Sequence, residues 1–250
     1  MLELYHWEPT ADSLALLLCL QELGLEFNAH YVDLIKLEQH DADYLAVNAR
    51  ATVPLLVADG ECLDDTGLAL QYLVEQYPQP VLAPAAAGYW YDLQAWSAWL
   101  AGLAADVRLL GWNLVMLNTL APDQLRTFRQ KAAALPGTLH SGWSAVWSDA
   151  EANEDQLANA RERIGAVIDR LESGLAADGW LIGKDYSISD ILAYAHTHTL
   201  PRLLPDMVSR DKTPHIIRWQ EKIGTRPALQ QVMQMKRTAL AGDVYVAPAT

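Results

Sequence analysis

Basic residues are scarce in this chain: 18 Lys and Arg stand against 31 Asp and Glu, for a formal net charge of -13. That balance argues against nucleic acid or an anionic membrane surface as a partner, since both require clustered cations. Any anionic ligand therefore depends on helix ends or single cations. Cysteine is also scarce, at two residues, Cys19 and Cys62, with no CxxC pair and no metal-ligand spacing; they read as reduced thiols of a cytoplasmic protein. The start Met1-Leu2-Glu3 lacks the basic region of a signal peptide, and no apolar run approaches a membrane span. No GxGxxG, P-loop or nucleophile-elbow sequence occurs, and the seven histidines show no metal spacing.

What is present is apolar mass. Half of the 250 residues (51%) are hydrophobic and mean hydropathy is +0.01, enough for one large domain or two ordinary ones. Tryptophan reaches nine against two phenylalanines.

In chain order, Leu2 to Tyr5 reads as a strand, Leu14 to Leu23 as a helix stopped at Gly24, and Phe27 to Val32 as a second strand. Leu37 to Val47 is a weaker, polar helical segment expected on the surface. Next comes Thr52-Val53-Pro54-Leu55-Leu56, in which the proline must sit at an edge, a bulge or a cis turn. Asp59-Gly60 turns the chain into a short strand around Cys62, and a helix runs from about Asp65 to Gln76. Its Asp65-Thr66 opening offers capping oxygens and free N–H groups for a carboxylate; a hairpin followed by an ordinary cap explains the same residues. Residues 1–80 thus form a small α/β unit, and the Pro- and Ala-rich 81–88 stretch reads as a linker. Residues 89–250 show only helical patterns: Tyr89 to about Asn118, Asp123 to Ala134, Glu151 to Ala177, Ser187 to Leu200, Thr213 to Ile223, and Pro227 to about Ala241. Thr138 to Asp149, with Trp143 and Trp147, reads as a loop that forms either a pocket wall or a surface excursion packed by its own tryptophans.

Three places hold candidate chemistry. Asp12-Ser13 opens the first helix, where a serine hydroxyl can donate to a thiolate and the helix end adds positive potential; plain capping is the alternative. A carboxylate beside a thiolate is awkward, because like charge raises the thiol pKa. Ser187-Ile188-Ser189-Asp190 is a capping box that starts a buried helix, a structural assignment. Among the aromatics, Trp7, Tyr89, Trp96 and Trp112 are candidates for an apolar pocket, with core packing the competing explanation for most of them.

The order of these parts resembles the glutathione transferase superfamily, a thioredoxin-like α/β domain followed by an all-α domain. Val53-Pro54 looks like that family's cis-proline and Asp65-Thr66 stands where it usually has Glu-Ser. Pro9 to Ser13, Leu37 to His40, Trp96 with Trp99 and Gly111-Trp112, and Lys212 to Ala228 are most similar to the bacterial glutathione-dependent β-aryl etherases of lignin breakdown. There the first segment looks like Pro-Gly-Ala-Asn-Ser, so Thr10 and Asp12 are departures. The resemblance implies glutathione as cosubstrate, held by Gln39, His40, Val53, Pro54, Asp65 and Thr66. Ser13 would hydrogen-bond its sulfur, with Asp12 beside it. It further implies an aromatic second substrate and a homodimer. Conjugation, reductive dehalogenation, peroxide reduction and a non-catalytic binding role stay open on the same scaffold.

Overall fold

The computed structural model describes residues 1–79, 82–83, 88–111, 120–135 and 154–235. Outside them lie Trp112, the Thr138–Asp149 segment, most of the 81–88 stretch, and the expected helix ends near Asn118 and Ala241.

A four-stranded sheet forms the first layer, in the order β2-β1-β3-β4. Its strands are β1 (Leu2–His6), β2 (Asn28–Tyr31), β3 (Leu55–Ala58) and β4 (Glu61–Leu63). β1 and β2 run parallel, joined through helix α1 (Ala11–Glu22), whereas β3 and β4 add as an antiparallel hairpin. Asp59 and Gly60, both at positive φ, make the hairpin turn that their sequence called for. Helix α1 is buried along Ser13 to Leu20 because it is covered on both sides, by the sheet and by later helices. Its residues are accordingly apolar all round rather than on one stripe.

The polar segment at 37–47 is helical and mostly exposed over 41–47, as its composition suggested, but it is not one helix. It is a 3₁₀ turn (Glu38–His40) and a short helix α2 (Ala42–Val47), with Leu37, Gln39 and Tyr44 buried. The loop before it is held by two carboxylates: Glu38 Oε2 accepts the Asp33 N–H at 2.7 Å, and Asp33 Oδ1 accepts the N–H groups of Ile35 and Lys36. Helix α3 (Thr66–Gln76) follows β4.

The remaining elements are helical: α4 (Tyr89–Gly111), α5 (Pro122–Ala133), α6 (Glu154–Asp178), α7 (Ile188–Thr197), α8 (Leu200–Leu203), α9 (Pro214–Gly224) and α10 (Pro227–Met233). Three open with proline at the first helical position, where the missing N–H costs nothing: α5, α9 and α10. Helix α7 is buried along its whole length against α1 and α4, so one hydrophobic core runs from the sheet into the helices. The capping box is present. The Ser187 N–H donates to Asp190 Oδ2 at 3.0 Å, while Asp190 Oδ1 accepts from the Leu181 N–H at 2.9 Å and Trp219 Nε1–H at 2.8 Å. Across the seam, Arg226 forms a two-pronged pair with Glu22 of α1, at 2.5 and 2.7 Å.

Candidate functional site

Between the α/β layer and the helices lies a cavity of about 210 Å³. Its upper wall is the turn before β3, where the Val53–Pro54 peptide bond is cis. This turn is held from beneath. The Thr52 carbonyl accepts from the Tyr44 hydroxyl at 2.5 Å and Asn48 Nδ2–H at 2.9 Å, and Asn48 Oδ1 accepts the Arg50 N–H at 3.0 Å. Ala51, which lines the cavity, has φ 55, a left-handed conformation that a β-carbon disfavours. With Thr52 thus fixed, the Val53 backbone makes no hydrogen bond among the described residues, and its peptide group is available to an extended ligand.

Opposite the turn stand Asp12 at the start of α1, Thr66 at the start of α3, and Gln39 from the 3₁₀ turn. Gln39 is only 1% exposed, and its Oε1 has no partner among the described residues. A buried amide oxygen left without a donor costs stability, and a ligand N–H would relieve that cost. Asp65 is not in the cavity wall. It is the N-cap of α3, its Oδ1 accepting the Leu68 N–H at 2.9 Å. Its neighbour Asp64 lines the cavity instead and pairs with Arg50 at 2.9 Å.

Two residues with no expected role in the site stand beside Asp12. Arg108, on the last turn of α4, lines the cavity, and His196, buried on α7, places Nε2 3.1 Å from Asp12 Oδ1. Burial would raise the Asp12 pKa, but the His196 hydrogen bond and charge, the Arg108 charge and the Thr66 hydroxyl outweigh it and hold the carboxyl below its ordinary value. Asp12 is therefore ionised at neutral pH, and its Oδ1 accepts a proton-bearing Nε2 from His196. Burial in turn lowers the Arg108 pKa, against the opposing pull of Asp12. The sequence signal is a polar side chain inside an apolar run for Arg108, Val107-Arg108-Leu109, and a polar side chain at the end of one for His196, Ile191 to Ala195.

Ser13, next in sequence to Asp12, is not in the cavity wall. It is 5% exposed, and its Oγ accepts the Trp7 N–H at 3.1 Å, which leaves its own O–H to donate. The three described aromatic candidates, Trp7, Tyr89 and Trp96, do not line the cavity. Trp7 packs in a small cluster with Val32, Leu34 and Phe128. Tyr89 and Trp96 belong to the main core, on the Tyr89, Leu93, Trp96, Leu100, Leu103 stripe of α4. The Tyr89 hydroxyl accepts the Ser189 N–H at 3.3 Å, and Arg170 lies over the Trp96 ring at 5.3 Å. Core packing accounts for all three. His40 follows Gln39 in the same turn but does not line the cavity. Among the described residues no His, Cys, Asp or Glu cluster is arranged for a metal, and no helix is long and apolar enough to cross a membrane.

A thioredoxin-like layer with a cis-proline turn, closed by helices over a partly charged cavity, defines a class of protein that presents a peptide-like thiol to a second molecule. Two family models match the chain: the glutathione S-transferase N-terminal domain over residues 13–76 and its C-terminal domain over residues 134–227. Protein LigF of Sphingobium sp. is 27% identical over 247 residues, covering 94% of this chain and 94% of that protein. Glutathione S-transferase GstA of Escherichia coli O157:H7 is 26% identical over 231 residues, 91% of this chain and 95% of its own. The crystal structure of the beta-etherase LigF superposes with a TM-score of 0.79 at 26% identity, over 93% of this chain and 98% of that one. The chain belongs to the glutathione S-transferase family, and its cosubstrate is glutathione.

Proposed function

We propose that the cavity beneath cis-Pro54 holds glutathione and that its thiolate cleaves β-aryl ethers of lignin-derived aromatic ketones. The observation that carries the placement is the set of unmet backbone and side-chain groups facing one cavity: the Val53 peptide, Gln39 Oε1 and the start of α3. The Val53 peptide group pairs with the cysteinyl backbone, and the N–H groups opening α3 receive the γ-glutamyl carboxylate. Gln39, with His40 beside it, takes the glycyl end. Asp65 supports that arrangement as the cap of α3.

The thiol proton leaves to water, and the Ser13 O–H donates to the resulting thiolate. The sulfur attacks the ether-bearing carbon next to the ketone. The C–S bond forms as the C–O bond breaks with its electron pair, so that an aryloxide leaves, takes a proton from water, and a glutathione thioether remains. Orientation and a lowered thiol pKa supply the catalysis. The ether specificity draws on the similarity to LigF across nearly the whole of both chains. In this reading residues 1–80 form the glutathione unit, 81–88 the linker, and 89–250 the unit that carries the aromatic site, in a cytoplasmic homodimer.

The test is to incubate the protein with glutathione and each enantiomer of a β-aryl ether ketone, following phenol release and thioether mass. Glutathione-dependent phenol release is expected. Conjugation of a chloroarene with no ether cleavage would overturn the etherase assignment and favour general conjugation.

A further inference from the structure

Asp12 presents a problem that its neighbours answer. A carboxylate at the head of α1, 37% exposed at its side chain towards the cavity, stands where a thiolate must form. Left alone, it would repel that second negative charge. Each element packed around it supplies a compensating group: Thr66 from α3, Arg108 from α4 and His196 from α7. Of these, His196 is the most constrained. Its side chain is 4% exposed, its Nε2 lies 3.1 Å from Asp12 Oδ1, and its Nδ1 is buried with no partner among the described residues. Asp12 is thus its one side-chain hydrogen-bond partner among them, reached across 184 residues of sequence. His198, just past the end of α7, turns its Nδ1 to the carbonyls of Tyr194 and Ala195 instead.

We infer that His196 is a positioning residue for the thiol chemistry: by donating to Asp12 it fixes and compensates that carboxylate, so the glutathione sulfur can ionise beside it. The inference rests on glutathione occupying this cavity. His196 does not line the cavity, and its role is to act through Asp12.

The experiment titrates the bound glutathione thiol by its ultraviolet absorbance against pH, with calorimetry recording glutathione affinity separately. Removing the donor in His196→Ala is expected to move the thiol titration to higher pH by about one unit, roughly tenfold less thiolate at neutral pH. His196→Gln, which keeps an N–H donor, is expected to recover most of the shift. In an Asp12→Asn background, with no charge left to compensate, the alanine substitution is expected to move the titration little. If His196→Ala does not fold, His196→Met fills the space without a donor and takes its place. An equal shift with and without the Asp12 charge would mean that His196 only packs, and no shift at all would equally overturn the inference. Absence of glutathione binding by the unaltered protein would overturn the placement of glutathione, and this inference with it.

Discussion

Two aspartates at helix starts, Asp12 on α1 and Asp190 on α7, are placed in opposite company. Asp190 meets neutral donors: the Leu181 and Ser187 N–H groups, the Trp219 indole N–H and the Ser187 hydroxyl. Burial is the stronger influence on it, and its pKa is pushed up to about 6 from an ordinary 3.8. Asp12 meets an imidazole and a guanidinium, and there burial is outweighed and the pKa falls. Neutral donors fix a backbone in place without favouring charge as strongly as a cation does. The region around Asp190 is accordingly built to hold a fold, and the region around Asp12 to manage charge in a cavity.

The comparison can be broken most forcefully at Asp190. Asp190→Ala strands the Trp219, Leu181 and Ser187 donors in the core, and a loss of roughly 3–5 kcal/mol is expected in denaturant unfolding. A loss below about 1 kcal/mol would mean that the box is not what starts α7. At the other region, Arg108→Met is expected to lower kcat/KM by about tenfold to a hundredfold, the range of a lost charge-assisted contact, with little loss of stability. Steady-state kinetics beside a melting curve separates the two effects.

The pH response sharpens the contrast. The folded-state pKa of Asp190 is raised, so its contribution to stability is full below its unfolded value and is lost as pH rises through about 6. For Asp12 the folded pKa is depressed, so its contribution is present above the unfolded value and is lost as pH falls through the lower folded one. Melting temperatures from pH 4 to 7 should therefore show Asp190→Asn gaining on the unaltered protein as pH rises. Asp12→Asn should instead lose ground below that range, as pH rises towards the unfolded value of 3.8, and hold a constant difference from pH 4 to 7. The smallest effect is expected at Asp65, the exposed cap of α3, where replacement by Ala is expected to cost about 1 kcal/mol and to weaken glutathione binding modestly.

Much of the scaffold was legible because its signals are local. A proline before an apolar strand, Asp-Gly between two strands, Asp-Thr before a helix and Ser-x-x-Asp before another each constrain the backbone within a few residues. The structure bears these out as the cis peptide, the hairpin turn, the α3 cap and the α7 box. Arg108 and His196 could not be read the same way, because their meaning comes from residues 12, 108 and 196 meeting in space. Two of the aromatic candidates show a related limit: spacings of three and four residues on α4 mark the buried face of a helix, and Tyr89 and Trp96 lie on it. The 37–47 segment was legible as a mostly exposed helical stretch, but its division into two short pieces and the burial of Leu37, Gln39 and Tyr44 were not.

The central claim is that glutathione occupies the cavity between cis-Pro54 and the Asp12–Arg108 floor. A crystal structure with glutathione bound tests it directly. The tripeptide is expected paired to the Val53 backbone, with its γ-glutamyl carboxylate at the start of α3 and its sulfur beside Ser13 and Asp12. Glutathione lying elsewhere, or in the same cavity with its sulfur turned away from the head of α1, would contradict it.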